Sequence, residues 1–171
     1  MQHLLRTTAV VVGATGATVG AAYGVLSHQG RRARHVIMIP GWLPFRADGV
    51  YLPDGTGPHP PSAPAVVSQA VLRLALLGDS LAAGLGVDQA EQLPGVVLAR
   101  GLAEDTGRPV QLDTVAICGC TSRRLGEQVE AALIDPPDVA IVTIGANDVT
   151  QRIPPWESAR LLRQAVARLR S

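Results

Sequence analysis

Three short apolar runs, at 71–77, 110–117 and 139–144, punctuate the second half of the chain. The first and third are nearly continuous in Val, Leu, Ile and Ala, the pattern of a strand buried on both faces, and the second, interrupted by Gln111, Asp113 and Thr114, reads as a further strand. The stretches after them have helical periodicity. Pro94 can open a helix with Leu98 and Leu102 on one face, stopped by Gly107 and Pro109. Thr121 or Ser122 can cap a second, with Leu125, Val129 and Leu133 four apart and Asp135-Pro136-Pro137 ending it. Pro154-Pro155 begins a third that aligns Leu161, Ala165 and Leu169, with Arg163, Arg168 and Arg170 toward the negative end of its dipole. This β-α-β-α-β-α order predicts an α/β domain over 71–171, with a parallel sheet covered on both sides. In such sheets chemistry collects at the carboxyl ends of the strands.

The first third of the chain follows a different pattern. After Arg6, residues 7–26 carry no charge, and as a helix these 20 residues span roughly 30 Å, about one hydrocarbon core. Thr7, Thr8, Thr15, Thr18 and four glycines dilute the segment, and Gly16, Gly20 and Gly24 line one face, which lets two membrane helices approach closely. Residues 1–27 therefore read as a membrane anchor, or as a cleaved signal with small residues near Gly20 and Ala22. The chain is expected to be membrane-anchored or exported, with the side open. Arg31, Arg32 and Arg34 favour a cytoplasmic domain, and export requires the short segment before the span to prevail. The glycine-rich stretch 11–20 is not a dinucleotide-binding turn. Val19 stands where the third glycine belongs, and Arg31 to His35 occupy the region of the ribose-binding acid. Residues 28–70, with Pro40, Pro44, Pro53, Pro58, Pro60, Pro61 and Pro64, read as a linker without regular structure or chemistry, its apolar islands packing on the domain.

A length of 171 residues allows one domain plus an extension. With 47% hydrophobic and 17% charged residues the chain is globular or membrane-associated rather than disordered, and with 3% aromatics its core must be aliphatic. A net charge of +1 without a basic stripe excludes a nucleic-acid partner. Cys118 and Cys120 are too few for a disulfide framework, and without further Cys or a nearby His they make a poor metal site.

The candidate chemistry lies directly after the three runs. Gly78 in Gly78-Asp79-Ser80 permits a tight turn that presents Ser80 at the sheet rim, with its own N–H available to a developing oxyanion. Gly119 lets a ligand oxygen approach the backbone. Asn147, in Gly145-Ala146-Asn147-Asp148, offers an uncharged amide donor. Each has a plain alternative as a turn, and Asn147 as an Asx-turn. Their order, each after a strand, is what gives them weight. Arg123 and Arg124 near the rim suit an anionic substrate or a solvated helix face.

In these contexts Ser80, Gly119 and Asn147 resemble the first three blocks of the SGNH (GDSL-type) hydrolases. Residues 77–87, LGDSLAAGLGV, and 144–150, IGANDVT, are most similar to a bacterial subgroup with a short hydrophobic N-terminus. The resemblance covers 71–171 and implies a flavodoxin-like three-layer fold with a parallel sheet, truncated after the third βα unit. It implies Ser80 as nucleophile, an oxyanion hole of the Ser80 and Gly119 N–H groups and the Asn147 amide, and Asp79 and Asp148 as supporting residues. It implies no metal or organic cofactor. The family's fourth block, Asp-x-x-His, supplies the general base and the Asp that orients it. That block is missing, since His3, His28, His35 and His59 all precede Ser80.

The expectation is thus a serine ester hydrolase acting through an acyl-enzyme on a short acyl, lipid or acetylated sugar ester, and incomplete as it stands. Losing the base costs about 10⁶ in turnover, unless His59 reaches in from a flexible linker. The rivals are an inactive fragment or pseudoenzyme that binds an acyl or carbohydrate ligand, and a membrane protein that associates through its Gly16, Gly20 and Gly24 face. Strand 139–144 is expected at an unpaired apolar edge, prone to self-association.

Overall fold

The computed structural model describes residues 20–30, 32 and 43–171. The chain divides into two compact units, 1–42 and 43–171. In the first unit residues 20–30 are helical, with Gly20 and Gly24 exposed. Residues 7–19 of the candidate span, Gly16 included, lie outside the described residues. Among the described residues no helix is long and apolar enough to cross a membrane.

The second unit runs β1 (Gly49–Tyr51), α1 (Pro64–Val67), β2 (Leu72–Gly78), α2 (Pro94–Thr106), β3 (Val110–Thr114), α3 (Leu125–Ala132), β4 (Val139–Thr143), α4 (Ala146–Thr150) and α5 (Pro155–Leu169). The sheet order is β1-β3-β2-β4. β2 pairs in parallel with β3 (Leu74 opposite Leu112) and with β4 (Leu76 opposite Ile141), so β2 is central. Successive β2 side chains face opposite layers. Leu72, Leu74 and Leu76 pack with Val96, Ala99 and Ala103 of α2, whereas Ala75 and Leu77 pack with Leu125 and Val129 of α3 and Ala165 of α5. The alternation along β2 produces the three layers. Gly107, in the left-handed region at φ +64°, ends α2 as a C-cap glycine should.

Two readings of the sequence need correction. The segment 28–70 is not wholly unstructured. Gly49–Tyr51 adds an antiparallel edge strand to β3, Pro64–Val67 forms a helical turn, and Val50 and Tyr51 are fully buried. The prolines flank β1 rather than occupy it, leaving its backbone free to pair. The Leu98–Leu102 face of α2 is also not the main buried one. Gly95, Val96, Ala99 and Ala103 face the sheet, Leu102 is partly buried, and Leu98 is exposed. Small residues win that face because they let the helix lie close to β3.

β4 is the terminal strand of the sheet among the described residues. Four of its five residues are only half-buried and Thr143 is exposed, as fits an edge rather than a strand enclosed on both sides.

Candidate active site

The turn after β2 is set by Gly78. Its φ is +144°, and an added Cβ would collide with the Thr143 carbonyl of β4, so only glycine lets the two strand ends approach. The Asp79 N–H donates to that same carbonyl at 3.1 Å. The chain then coils tightly. Asp79 Oδ1 accepts from the Leu81 N–H at 3.0 Å, the Asp79 carbonyl from Ala83 at 3.0 Å, and the Ser80 carbonyl from Leu85 at 2.9 Å. Asp79 is buried and its Oδ2 has no hydrogen-bond partner. Ser80 is half-buried at the head of this coil.

β3 continues past its last residue, with the N–H groups of Val115 and Ile117 donating to the carbonyls of Leu76 and Gly78 at 3.0 and 3.1 Å. This carries the following turn up beside the β2 rim. Gly119 lies in that turn, exposed, at φ +77°, with open space around it. Asn147, in the first turn of α4, donates from Nδ2 to the Cys120 carbonyl at 3.0 Å. Asp148 receives the Ser122 N–H at 2.8 Å and the Ser122 hydroxyl on its other oxygen. The Gly119 and Asn147 loops are thereby latched together twice. Burial pushes the Asp148 carboxyl up. The hydrogen bonds from Ser122, aided by the Arg123 charge, outweigh this and hold it below the ordinary carboxylate value.

Gln128 of α3, which the sequence reading did not single out, is buried against the same rim. Its Oε1 accepts from the Gly78 N–H at 2.7 Å and its Nε2 donates to the Gly78 carbonyl at 2.8 Å. A glutamine among Leu125, Val129 and Ala132 on the buried face of a helix is the signal that marks it. Thr121 or Ser122 is expected as a helix cap, but no side chain caps this helix: the Ser122 hydroxyl serves Asp148, and a 3₁₀ turn at Ser122–Arg124 leads into α3.

The remaining candidates are accounted for by local contacts. Arg123 pairs with both carboxylate oxygens of Glu157 at 2.8 and 3.0 Å, and Arg124 pairs with Glu127. Both arginines thus serve the solvated helix face. Burial pushes the Cys118 and Cys120 thiols up, which disfavours the thiolate a cysteine nucleophile needs. Among the described residues no group of His, Cys, Asp and Glu is arranged to hold a metal. His59 is not free to swing toward Ser80. It bridges to Val50 of β1 through two 2.8 Å backbone hydrogen bonds, and its ring contacts the Thr56 hydroxyl at 3.1 Å. The register Val50–Gln111–Arg73 puts it three strand spacings from β2, about 14 Å, and five residues or about 16 Å below Gly78.

Comparison with known proteins agrees with this fold. The model of the GDSL-like Lipase/Acylhydrolase family matches residues 76–171. The chain is 42% identical over 166 residues to the GDSL-like esterase Rv1075c of Mycobacterium tuberculosis (strain ATCC 25618 / H37Rv), covering 96% of this chain and 52% of that protein. The chain therefore spans about half the length of this relative. Among solved structures, the esterase AlinE4, of the SGNH-hydrolase family, superposes with a TM-score of 0.51 at 25% identity, over 59% of this chain and 54% of its own. TesA superposes with a TM-score of 0.50 at 24% identity, over 57% and 54%. The sheet order, the two helical layers and the matched segment have one reading: the chain belongs to the GDSL-like lipase/acylhydrolase family.

Proposed function

We propose that this chain carries the nucleophile and oxyanion-binding part of a serine ester hydrolase. Ser80 attacks the ester carbonyl, and the N–H groups of Ser80 and Gly119 with the Asn147 amide receive the oxyanion. An acyl-enzyme forms and water releases it. Asp79 and Asp148 hold the loops. The observation that carries the reading is the latching of three loops at one rim, through Asp79 to Thr143, Ile117 to Gly78, Asn147 to Cys120 and Ser122 to Asp148. In the Asn147–Cys120 bond the amide is already aimed at the residue next to Gly119. A short p-nitrophenyl ester assayed with the full chain and with Ser80→Ala tests it. Release of p-nitrophenolate that drops to background in the variant supports Ser80, and release above the protein-free rate that is equal in both rejects it.

A second reading is an acyl- or carbohydrate-binding chain without turnover. It is favoured by the fixed position of His59, held in its bridge to Val50 away from Ser80. Such a chain binds esters and turns them over at most at the residual rate, about 10³ over water, that an oxyanion hole alone retains. Tethering or export through residues 7–26 belongs to the same proposal and is supported by the charge-free run. Alkaline carbonate extraction of membranes from cells expressing the chain reads it directly.

A further inference from the structure

A cavity of about 540 Å³ lies beside the Ser80 coil, on the α2 face of the sheet. Its inner wall includes Ala82, Leu93 and Leu112, and its outer wall is the strap 43–48, which precedes β1. The strap is tied at two points. The Tyr51 hydroxyl donates to the Ala47 carbonyl at 2.6 Å, and the Thr114 N–H donates to Asp48 Oδ1 at 2.9 Å. Three large apolar residues that line the cavity, Leu43, Phe45 and Ile117, are 83%, 44% and 41% exposed. Among the described residues nothing covers these apolar side chains, which leaves them in water around a mainly apolar cavity. The volume falls within the range of small-molecule sites.

Position connects this cavity to the reacting atoms. Ala82 and Ala83 belong to the Ser80 coil, and Cys118 directly precedes Gly119, so the cavity wall is continuous in sequence with both proposed oxyanion donors. We propose that the cavity receives the acyl chain of the ester, a linear saturated acyl group, and that the strap sets its length. This rests on Ser80 being the nucleophile. The acyl group stays on the serine until water releases it, whereas the alcohol must leave to solvent. A cavity walled by a tied strap suits the part that stays. The strap lies outside the family-matched residues 76–171, so the wall that sizes the site is supplied by sequence beyond the family match.

The test uses the full chain carrying Ser80→Ala, so that esters bind without turnover, with ¹³C-methyl NMR titrations of methyl butyrate, hexanoate and octanoate. Affinity rises about three- to four-fold per added methylene, and the acyl methylenes give contacts to the Leu93 and Ile117 methyls while the methoxy group gives none. Ala116→Phe fills the cavity and flattens the series. Phe45→Asp, at an exposed position that does not threaten folding, weakens octanoate binding at least ten-fold. Affinity independent of chain length, contacts from the methoxy group in place of the acyl chain, or octanoate binding unchanged by Phe45→Asp overturns the proposal. Because these titrations involve no turnover, their failure leaves the nucleophile reading standing. Intact binding with hydrolysis indifferent to Ser80 strikes that reading instead.

Discussion

The Gln128 carboxamide closes on the backbone of Gly78 as a neighbouring strand would, taking its N–H and donating to its carbonyl. A helix on one face of the sheet thus fixes the turn from which Asp79 and Ser80 emerge. Gln128→Leu keeps the volume and removes both bonds. The Gly78 carbonyl still has the Ile117 N–H, but the Gly78 N–H is left buried and unpaired, at a cost of about 1–3 kcal/mol. Chemical unfolding measures the loss, and Gln128→Glu, which keeps only the acceptor, recovers part of it.

Asp148 makes the fold sensitive to acid. Its carboxyl titrates below the ordinary value of 3.8 in the folded chain. Its contribution is therefore fully present above about that pH and is lost as pH falls through the lower, folded value. Asp148→Asn removes the charge from both Ser122 hydrogen bonds and destabilises by about 1.5–3 kcal/mol at neutral pH. The melting temperature of the variant then falls less steeply than wild type between pH 4 and pH 2. Parallel pH profiles would assign the acid sensitivity elsewhere.

Gly78→Ala is expected to be among the most damaging single-methyl additions in the unit. It combines an unfavourable backbone region with a collision against the Thr143 carbonyl, which is held by the Asp79 N–H and has no slack. Strain and overpacking together cost about 3–5 kcal/mol. Gly119→Ala, with positive φ but open space, costs only about 1–2 kcal/mol from backbone strain. Melting curves for the pair separate the two causes.

Tyr51 tests whether the edge strand belongs to the cooperative core. Its ring is fully buried with Leu72, Leu74 and Val96, and Arg100 lies over it at 5.7 Å. Tyr51→Ala costs about 3–5 kcal/mol, and Tyr51→Phe, which loses the bond to Ala47, about 1 kcal/mol. A Tyr51→Ala melt indistinguishable from wild type would show β1 to be an ornament.

The layered α/β architecture was legible because buried strands and amphipathic helices leave periodic signals within ten residues or so. The placement of Ser80, Gly119 and Asn147 at the carboxyl ends of the strands was legible because each follows such an apolar run. What escaped had a faint local signal or none. β1 is three residues long, lies among prolines, and acquires meaning only opposite Val110 to Leu112. The sheet-facing side of α2 was misassigned because Gly95, Ala99 and Ala103 pack by being small, and hydrophobicity favours Leu98 instead. Gln128 is polar in a buried row, and its partner is a backbone group fifty residues away. The double role of Asp148 and Ser122 likewise needed the third dimension.

The edge strand also carries an implication for biosynthesis. Gly49–Tyr51 leaves the ribosome some sixty residues before the β3 segment that it pairs with. At about 5–20 residues per second this is an interval of several seconds. Throughout it Val50 and Tyr51 have no sheet to enter and are open to chaperones or to a neighbouring nascent chain. The strap that walls the cavity thus takes its final position no earlier than the emergence of β3, although it is among the first parts of the unit to be made.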